Sequence, residues 1–299
     1  MSRRSLVTAL VVGVLSLMTL AGLFMAVVMA LGDGTGLGFG GRIAVLEVDG
    51  VIADDHDFIK DLRRLQRDRS VRGWVVSINS PGGVVAPSQS IYQELSRLRE
   101  DDDRPVIASI GSVGASGGYY VALGADSILA LPGSITGSIG VLMEFPNVSG
   151  LMDKVGVEMQ VVKAGAQKDL GSPFRAMDAE DEAILGEMVA DVHAQFVEVV
   201  AAERGLSMAE VTALADGRIL SGRQARERRL VDRLGNLEEA IALAGVMAGL
   251  GSEPDIVRPP EDREGLLAEL LFGRTAVRAL GRLADPVAGM TPVLKFIMH

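Results

Sequence analysis

The length and composition of this chain favour a globular protein and exclude several classes of function. Its 299 residues are 48% hydrophobic, which is enough for a sizeable core. The net charge of -10 disfavours nucleic acid as a partner, because phosphate binding requires a basic face. The absence of cysteine excludes disulfides, a thiolate nucleophile and a cysteine-based zinc site.

An apolar stretch near the start, Leu6 to Leu31, contains no charged residue. At about 1.5 Å per residue it exceeds a hydrocarbon core of about 30 Å, so it predicts a transmembrane helix. An uncleaved anchor is favoured over a cleaved signal peptide, although a cut after Ala30 stays open. Arg3 and Arg4 precede the span, which predicts that the N-terminus stays in the cytoplasm and that the chain after the span is exported. Residues 1–31 would thus comprise the cytoplasmic N-terminus and the anchor, and residues 32–41 a flexible linker.

Three strand, turn and helix units follow the linker. The predicted strands are Arg42 to Gly50, Trp74 to Asn79 and Pro105 to Ile110, each rich in β-branched or apolar residues. This repetition predicts an α/β domain with a largely parallel sheet. In such sheets the loops at the carboxyl ends of strands form the ligand crevice, so the loops SPGG and GASGG are expected to line the site.

The later segments complete this predicted domain, residues 42–250. They comprise strands at Asp126 to Ala130 and Val157 to Lys163, a polar loop, and helices at Asp178 to Arg204 and Leu237 to Leu250. A proline-containing break then precedes an amphipathic segment, Leu266 to Leu283, within residues 251–299. This tail has three open roles: packing on a neighbouring subunit, lying on the membrane, or occupying a substrate groove.

A single serine, Ser116, lies among small residues in the stretch GSVGASGGYY. It is expected at a turn between a strand and a helix, where free backbone N–H groups and the helix dipole favour a nucleophile. Glycine-rich turns also occur wherever a helix packs tightly on a sheet. The pattern G-x-S-x-G alone therefore leaves both the catalytic and the packing interpretations open.

The base that would activate this serine is less evident. His193 falls inside a helix and His299 follows a segment without an anchor, so neither completes a Ser-His-Asp arrangement. A lysine acts as a base only as the neutral amine. Lowering the pKa of an amine from about 10.4 to about 7.5 costs roughly 4 kcal/mol, and the desolvation of a buried lysine can produce a shift of this size. Lys163 ends a predicted strand and Lys168 lies in a polar loop. For Lys168, a surface pair with Asp169 is the alternative to a catalytic role.

Five short motifs, in order, decide between these interpretations by resemblance. Together they resemble the signal peptide peptidase A family of membrane-anchored bacterial Ser-Lys proteases, in its short form with a single catalytic repeat. The motifs are NSPGG, GASGGYY, TGSIG, KDLGSPFR and ADGRILSGRQARERRLVDRLG.

The resemblance implies a role for each site residue. Ser116 would be the nucleophile, Lys168 the general base, and Ser138 would hold the lysine amine. The backbone N–H groups of Gly83 and Gly117 would form the oxyanion hole. No metal and no cofactor are expected.

The resemblance also implies a fold, an assembly and a location. The fold would be like the crotonases and the Clp protease subunit, and copies would assemble into a ring or dome. Serine and lysine come from different subunits in related short forms. The expected location is the bacterial cytoplasmic membrane, with a single span and an extracytoplasmic catalytic domain.

The predicted activity is hydrolysis of apolar peptides, chiefly remnant signal peptides, by a serine endopeptidase. Two alternatives stay open at this point. One is a crotonase-like acyl transfer on a thioester, and the other is an inactive membrane-anchored scaffold.

Overall fold

The computed structural model describes residues 16–20, 22–23, 41–101, 103–260 and 295–297. The chain divides into two units, Met1–Gly41 and Arg42–His299. In the first unit residues 16–20 and 22–23 are helical and exposed. Within the described parts of the chain, no helix has the length and apolar character that crossing a membrane requires. Most of the predicted span, Leu6 to Leu31, lies outside the described residues, as does the segment Leu266 to Leu283.

The second unit is built from ten strands and eight helices among its described residues. The strands are β1 Arg42–Asp49, β2 Val71–Ser80, β3 Gly82–Val84, β4 Val106–Ala115, β5 Ser127–Ala130, β6 Ile135–Gly137, β7 Ile219–Ser221, β8 Arg233–Leu234, β9 Asp255–Val257 and β10 Lys295–Ile297. The helices are α1 His56–Gln66, α2 Val85–Asp101, α3 Gly117–Ala122, α4 Ser149–Val155, α5 Ala179–Arg204, α6 Met208–Thr212, α7 Gly222–Glu227 and α8 Leu237–Met247.

Eight of these strands form one mostly parallel sheet. Its order is β7-β6-β4-β2-β1-β9, and β5 pairs with both β4 and β8. Only the β6–β7 pairing within this sheet is antiparallel. The prediction of an α/β domain with a largely parallel sheet is therefore confirmed, and the arrangement fits the Clp-protease-like fold. β9 adds a strand beside β1 from beyond residue 250.

The sheet is buried on both faces, as expected for parallel strands with helical crossovers. One face carries Ile43, Val45, Val75 and Ile107 against α8. The other face carries residues such as Trp74, Val76 and Ile110 against α1, α2, α3 and α5. β1, β2 and β4 consequently bury most of their residues and sit at the centre of the sheet.

The predicted long helix is α5, and a capping residue lies at each of its ends. The Asp178 side chain accepts hydrogen bonds from the N–H groups of Glu180 and Asp181, and Gly205 ends α5 in the left-handed conformation at φ 59°. The third predicted strand is longer than expected, because β4 continues to Ala115 and reaches Ser116 directly.

The prediction of a strand at Val157 to Lys163 is wrong. This segment has no strand partner in the described part of the chain, and its apolar side chains are exposed: Val157 by 51%, Val161 by 54% and Val162 fully. A strand requires a neighbour for its backbone hydrogen bonds, so strand-like composition alone is not sufficient.

A buried tyrosine fixes α3 to the segment before β8, and its removal tests this link. The Tyr119 hydroxyl is buried and donates a hydrogen bond of 2.8 Å to the Leu230 carbonyl. Tyr119→Phe should lower the free energy of unfolding by about 1–2 kcal/mol, because the buried carbonyl loses its partner. Urea denaturation of the full chain in detergent measures this, and an unchanged value would contradict it.

Candidate active site

Ser116 lies between the end of β4 and the start of α3, as predicted. Its N–H donates to the Gly137 carbonyl at 2.8 Å, and its own carbonyl accepts from the Tyr120 N–H at 2.8 Å. Its φ of 52° falls in the left-handed region that residues with a Cβ rarely adopt. Such a conformation costs of order 1–3 kcal/mol and persists only where surrounding contacts impose it.

The Ser116 side chain is buried and makes no hydrogen bond with any residue that the structure describes. The residue is 1% exposed, and its Oγ has no partner among the described residues. A buried hydroxyl without a partner costs about 1–3 kcal/mol, so it is a feature that folding alone does not favour. The hydroxyl is thus available to a reaction partner.

Two glycines allow the backbone of β3 to approach the start of α3. A Cβ on Gly117 would lie 2.6 Å from the Ser88 Oγ and 3.2 Å from the Gly83 nitrogen, while a Cβ on Gly83 would lie 2.0 Å from the Ile52 carbonyl oxygen. Side chains at either position would displace the backbone. The structure therefore brings the backbone of Gly83 close to Gly117, the residue that follows Ser116.

Ser138 reaches the same edge of the sheet through β6. Its neighbour Gly137 accepts the Ser116 N–H, and its own N–H donates to the Arg218 carbonyl at 2.8 Å. Ser138 is buried and has a φ of 51°. Two of the three non-glycine residues with positive φ among the described residues are thus the two serines predicted to act together.

A groove of about 680 Å³ opens at Ser138. His193 on α5 lines the same groove, and its Nε2 is buried without a hydrogen-bond partner among the described residues. Glycine and alanine residues form much of the remaining wall: Gly140, Gly186, Ala190, Ala215 and Gly217. The wall of the groove at Ser138 is therefore formed largely by small residues.

Lys168 is not brought to these serines within one chain. It lies on a largely exposed segment, residues 148–175, that we call the arm. The two ends of the arm are joined by a hydrogen bond of 2.8 Å from the Val148 N–H to the Pro173 carbonyl. The Lys168 side chain is exposed, and within the described residues it makes no hydrogen bond or ion pair. The arm contains the exposed segment that was expected to form a strand.

Asp169, the sequence neighbour of Lys168, is held by other cations. Lys163 Nζ donates to its Oδ1 at 2.5 Å, and Arg175 bridges from Asp169 to the buried Asp181. The hydrogen bond from Lys163, with help from Arg175, lowers the pKa of Asp169 to about 2. Arg175 likewise lowers the pKa of Asp181. The alternative pairing of Lys168 with Asp169 is thus not found.

Sequence reasoning missed two contacts. The first is the Arg175 bridge, whose only sequence signal was an arginine just before the capping residue Asp178. The second is Ser88, whose Oγ donates to the Val84 carbonyl at 2.9 Å and packs against Gly117. No spacing rule predicts this contact, because it depends on how α2 lies against α3.

Comparison with known proteins identifies the family. A model described as peptidase family S49 matches residues 99–251, half of the chain, and this range includes Ser116, Ser138 and Lys168. The chain belongs to the signal peptide peptidase A family. It is accordingly a serine protease by family.

Three relatives illustrate the match. A Synechocystis sp. protein with a provisional protease name is 40% identical over 85% of this chain and 90% of its own length. A provisionally named signal peptide peptidase SppA of Enterococcus faecium is 38% identical over 67% of this chain and 62% of its own. Protease 4 of Haemophilus influenzae is 33% identical over 67% of this chain and 34% of its own, so the chain spans about a third of that longer relative.

The arm should keep its conformation above about pH 5 and lose it as the pH falls toward about 2. Asp169 and Asp181 have pKa values lowered by their cations, so the stability they contribute is complete above the unfolded value of 3.8 and is lost as the pH falls through the folded values. A fluorophore on Val162→Cys, in a chain without other cysteines, reports this transition.

Two further variants serve as controls for that titration. Arg175→Met should release the arm at every pH, because Asp169 and Asp181 lose their shared cation. Arg97→Met, which removes an exposed pair with Glu94 on α2, should leave the titration unchanged. A fluorescence transition centred above about pH 5 would contradict the assignment to these carboxylates.

Proposed function

We propose that the protein is an endopeptidase in which Ser116 attacks the substrate carbonyl and Lys168 accepts the serine proton. The observation that carries this proposal is the buried, unpartnered Ser116 hydroxyl beside the backbone of Gly83 and Gly117. These two N–H groups would stabilise the developing oxyanion. Ser138, which lies beside Ser116 through Gly137, would orient the lysine amine.

The lysine in this proposal comes from a second copy of the chain. Among the residues that the structure describes, no side chain contacts the Ser116 hydroxyl as a base would, and Lys168 lies exposed on the arm. The arm also exposes Val157, Met159 and Val161, whose burial against a neighbour would stabilise an assembly by about 25 cal/mol per Å² of apolar surface. The groove at Ser138 provides an entrance for the incoming side chain.

The chemical steps follow from these positions. The neutral Lys168 amine takes the proton as Ser116 Oγ bonds to the carbonyl carbon, and the oxyanion accepts from Gly83 and Gly117. Collapse of this intermediate breaks the peptide bond, and the lysine ammonium gives its proton to the departing amine. Water then hydrolyses the ester, with the same lysine acting as base, and Ser116 is regenerated.

The substrates in this proposal are apolar peptides, chiefly signal peptides left in the membrane. β3 and the start of α2 supply Gly82, Gly83, Val84 and Val85 beside the nucleophile, and an unpaired charge buried there would cost several kcal/mol. The name of the Enterococcus relative, a signal peptide peptidase, is in keeping with this class. An anchor at Leu6 to Leu31 would hold the domain on the outer side of the bacterial cytoplasmic membrane, as a ring or dome of copies.

Mixing two inactive variants tests the proposed dyad. Ser116→Ala and Lys168→Ala should each abolish hydrolysis of an apolar fluorogenic peptide. Co-expressed, they should recover about a quarter of wild-type activity, because a quarter of randomly formed interfaces combine an intact serine with an intact lysine. Co-expression of either single variant with the double variant is the control and should recover none.

A mixture that stays inactive although both variants assemble would contradict the shared site. Trapping with a fluorophosphonate then separates the possibilities. Labelling of wild type but not Ser116→Ala would keep the nucleophile assignment, whereas an absence of labelling would favour an inactive scaffold.

Ser138→Ala should lower kcat/KM without abolishing it, because the hydroxyl orients the amine but does not itself accept the proton. In wild type kcat/KM should fall as the pH is lowered, since a protonated amine cannot act as a base. His193→Ala, which alters the same groove, is the matched control and should keep full activity. An inactive but folded His193→Ala variant together with an active Lys168→Ala variant would assign the base to the histidine instead.

A further inference from the structure

The loop after β1, residues 50–53, packs against the strand that carries the proposed oxyanion donor. Val51 and Ala53 are exposed, whereas the Ile52 side chain between them is only 5% exposed and belongs to the main hydrophobic core. A Cβ on Gly83 would lie 2.0 Å from the Ile52 carbonyl oxygen and 2.6 Å from the Ile52 nitrogen. The backbones of the loop and of β3 are therefore in direct contact at Gly83.

Backbone hydrogen bonds fix this contact on one edge of β3. The Ile52 N–H donates to the Gly82 carbonyl at 3.0 Å, and the Val84 N–H donates to the Ile52 carbonyl at 2.7 Å. The Gly82 N–H donates to the buried Ser80 Oγ at 3.1 Å. The residues before and after Gly83 are thus both held by hydrogen bonds.

The Gly82 carbonyl and the Gly83 N–H belong to the same peptide group. Such a group is planar and trans, so its carbonyl and its N–H point in opposite directions. Because the Ile52 N–H binds the Gly82 carbonyl, the Gly83 N–H is directed away from the loop. The Gly83 N–H cannot turn without breaking that hydrogen bond.

The loop is in turn held by the end of β2. The Gly50 N–H donates to the Asn79 carbonyl at 3.0 Å, and the Asn79 Nδ2 donates to the Asp49 Oδ1 at 3.0 Å. Gly50 has a φ of 71°, and apart from its chain neighbours no described atom lies within 4 Å of the position that a Cβ would take. A side chain at this position would therefore strain the backbone of the loop without a steric clash.

We propose that the loop after β1 is a positioning element for the oxyanion hole, in which the Ile52 N–H orients the Gly83 N–H through the Gly82 carbonyl. The proposal rests on the function proposed above. An oxyanion donor acts where charge develops in the transition state, so a misdirected Gly83 N–H should lower kcat and leave substrate binding largely unchanged.

Substitutions of Gly50 test this role. Gly50→Asn, Gly50→Ala and Gly50→Val should lower kcat for an apolar fluorogenic peptide by about 2-fold, 10-fold and 50-fold, because asparagine tolerates positive φ best and β-branched valine least. The KM for the same peptide should change by less than about 2-fold, since the lost interaction is made only in the transition state. An unchanged kcat in Gly50→Val would overturn the proposal.

Gly249 provides a matched control. It has a φ of 74° and equally open surroundings among the described residues, and it follows α8, which packs on the opposite face of the sheet. Gly249→Val should lower the free energy of unfolding about as much as Gly50→Val and keep kcat within about 2-fold of wild type. An equal loss of kcat in the two variants would assign the effect to general destabilisation and overturn the positioning role.

A peptide aldehyde reports on the oxyanion hole without turnover. Ser116 Oγ bonds to the aldehyde carbon, the serine proton passes to the base, and the former carbonyl oxygen carries the negative charge into the hole. Gly50→Val should weaken inhibition by the aldehyde about as much as it lowers kcat. The corresponding peptide alcohol, which forms no bond to serine, should inhibit the variant and wild type equally. Equal weakening of both inhibitors would assign the loop to peptide binding instead and overturn the proposal.

The outcomes separate this inference from the general function. A wild type that cleaves no peptide would remove the function proposed above, together with the positioning role that depends on it. A wild type that cleaves peptides, with a Gly50→Val variant that matches Gly249→Val in kcat and in aldehyde inhibition, would overturn the positioning role alone.

Discussion

The candidate active site depends on a close approach of backbones that only small residues permit. Three segments meet at Ser116: the end of β4, the end of β6 at Gly137, and β3, whose Gly83 lies against Gly117 at the start of α3. The positive φ of Ser116 is maintained because both its N–H and its carbonyl are hydrogen-bonded in that conformation. The buried parallel sheet holds these segments in position, so the unfavourable conformation is offset by the packing around it.

The sequence predicted what depends on local pattern. Runs of β-branched residues predicted β1, β2 and β4, and the helical spacing of apolar residues predicted α5. The glycine-rich stretch predicted the position of Ser116 at a strand-to-helix turn. The pairing of Gly83 with Gly117 rested on resemblance to a family, because the two glycines are separated along the chain by α2 and β4. Their proximity results from the order of the strands in the sheet.

Other features depend on contacts between segments that are distant in sequence. For these, the local sequence pattern gave a wrong prediction or none. Val157 to Lys163 has the composition of a strand but no neighbour to pair with in the described chain. β6, β7 and β10 are three residues each, too short for a period-2 pattern to be recognised. The bridge from Arg175 to Asp169 and Asp181 likewise depends on how the arm folds back on α5.

Ser116 and Lys168 lie in parts of the molecule with opposite local stability. Ser116 ends a strand that is paired on both edges and buried on both faces, whereas the arm is held chiefly by ion pairs at its surface and exposes its apolar side chains. Amide hydrogens in β4 should therefore exchange only on global unfolding, and those near Lys168 through small local openings. Mild denaturant or high salt can consequently displace the arm while the sheet stays folded, which in the proposed dyad would separate Lys168 from Ser116. Loss of activity on such treatment would precede any loss of the core.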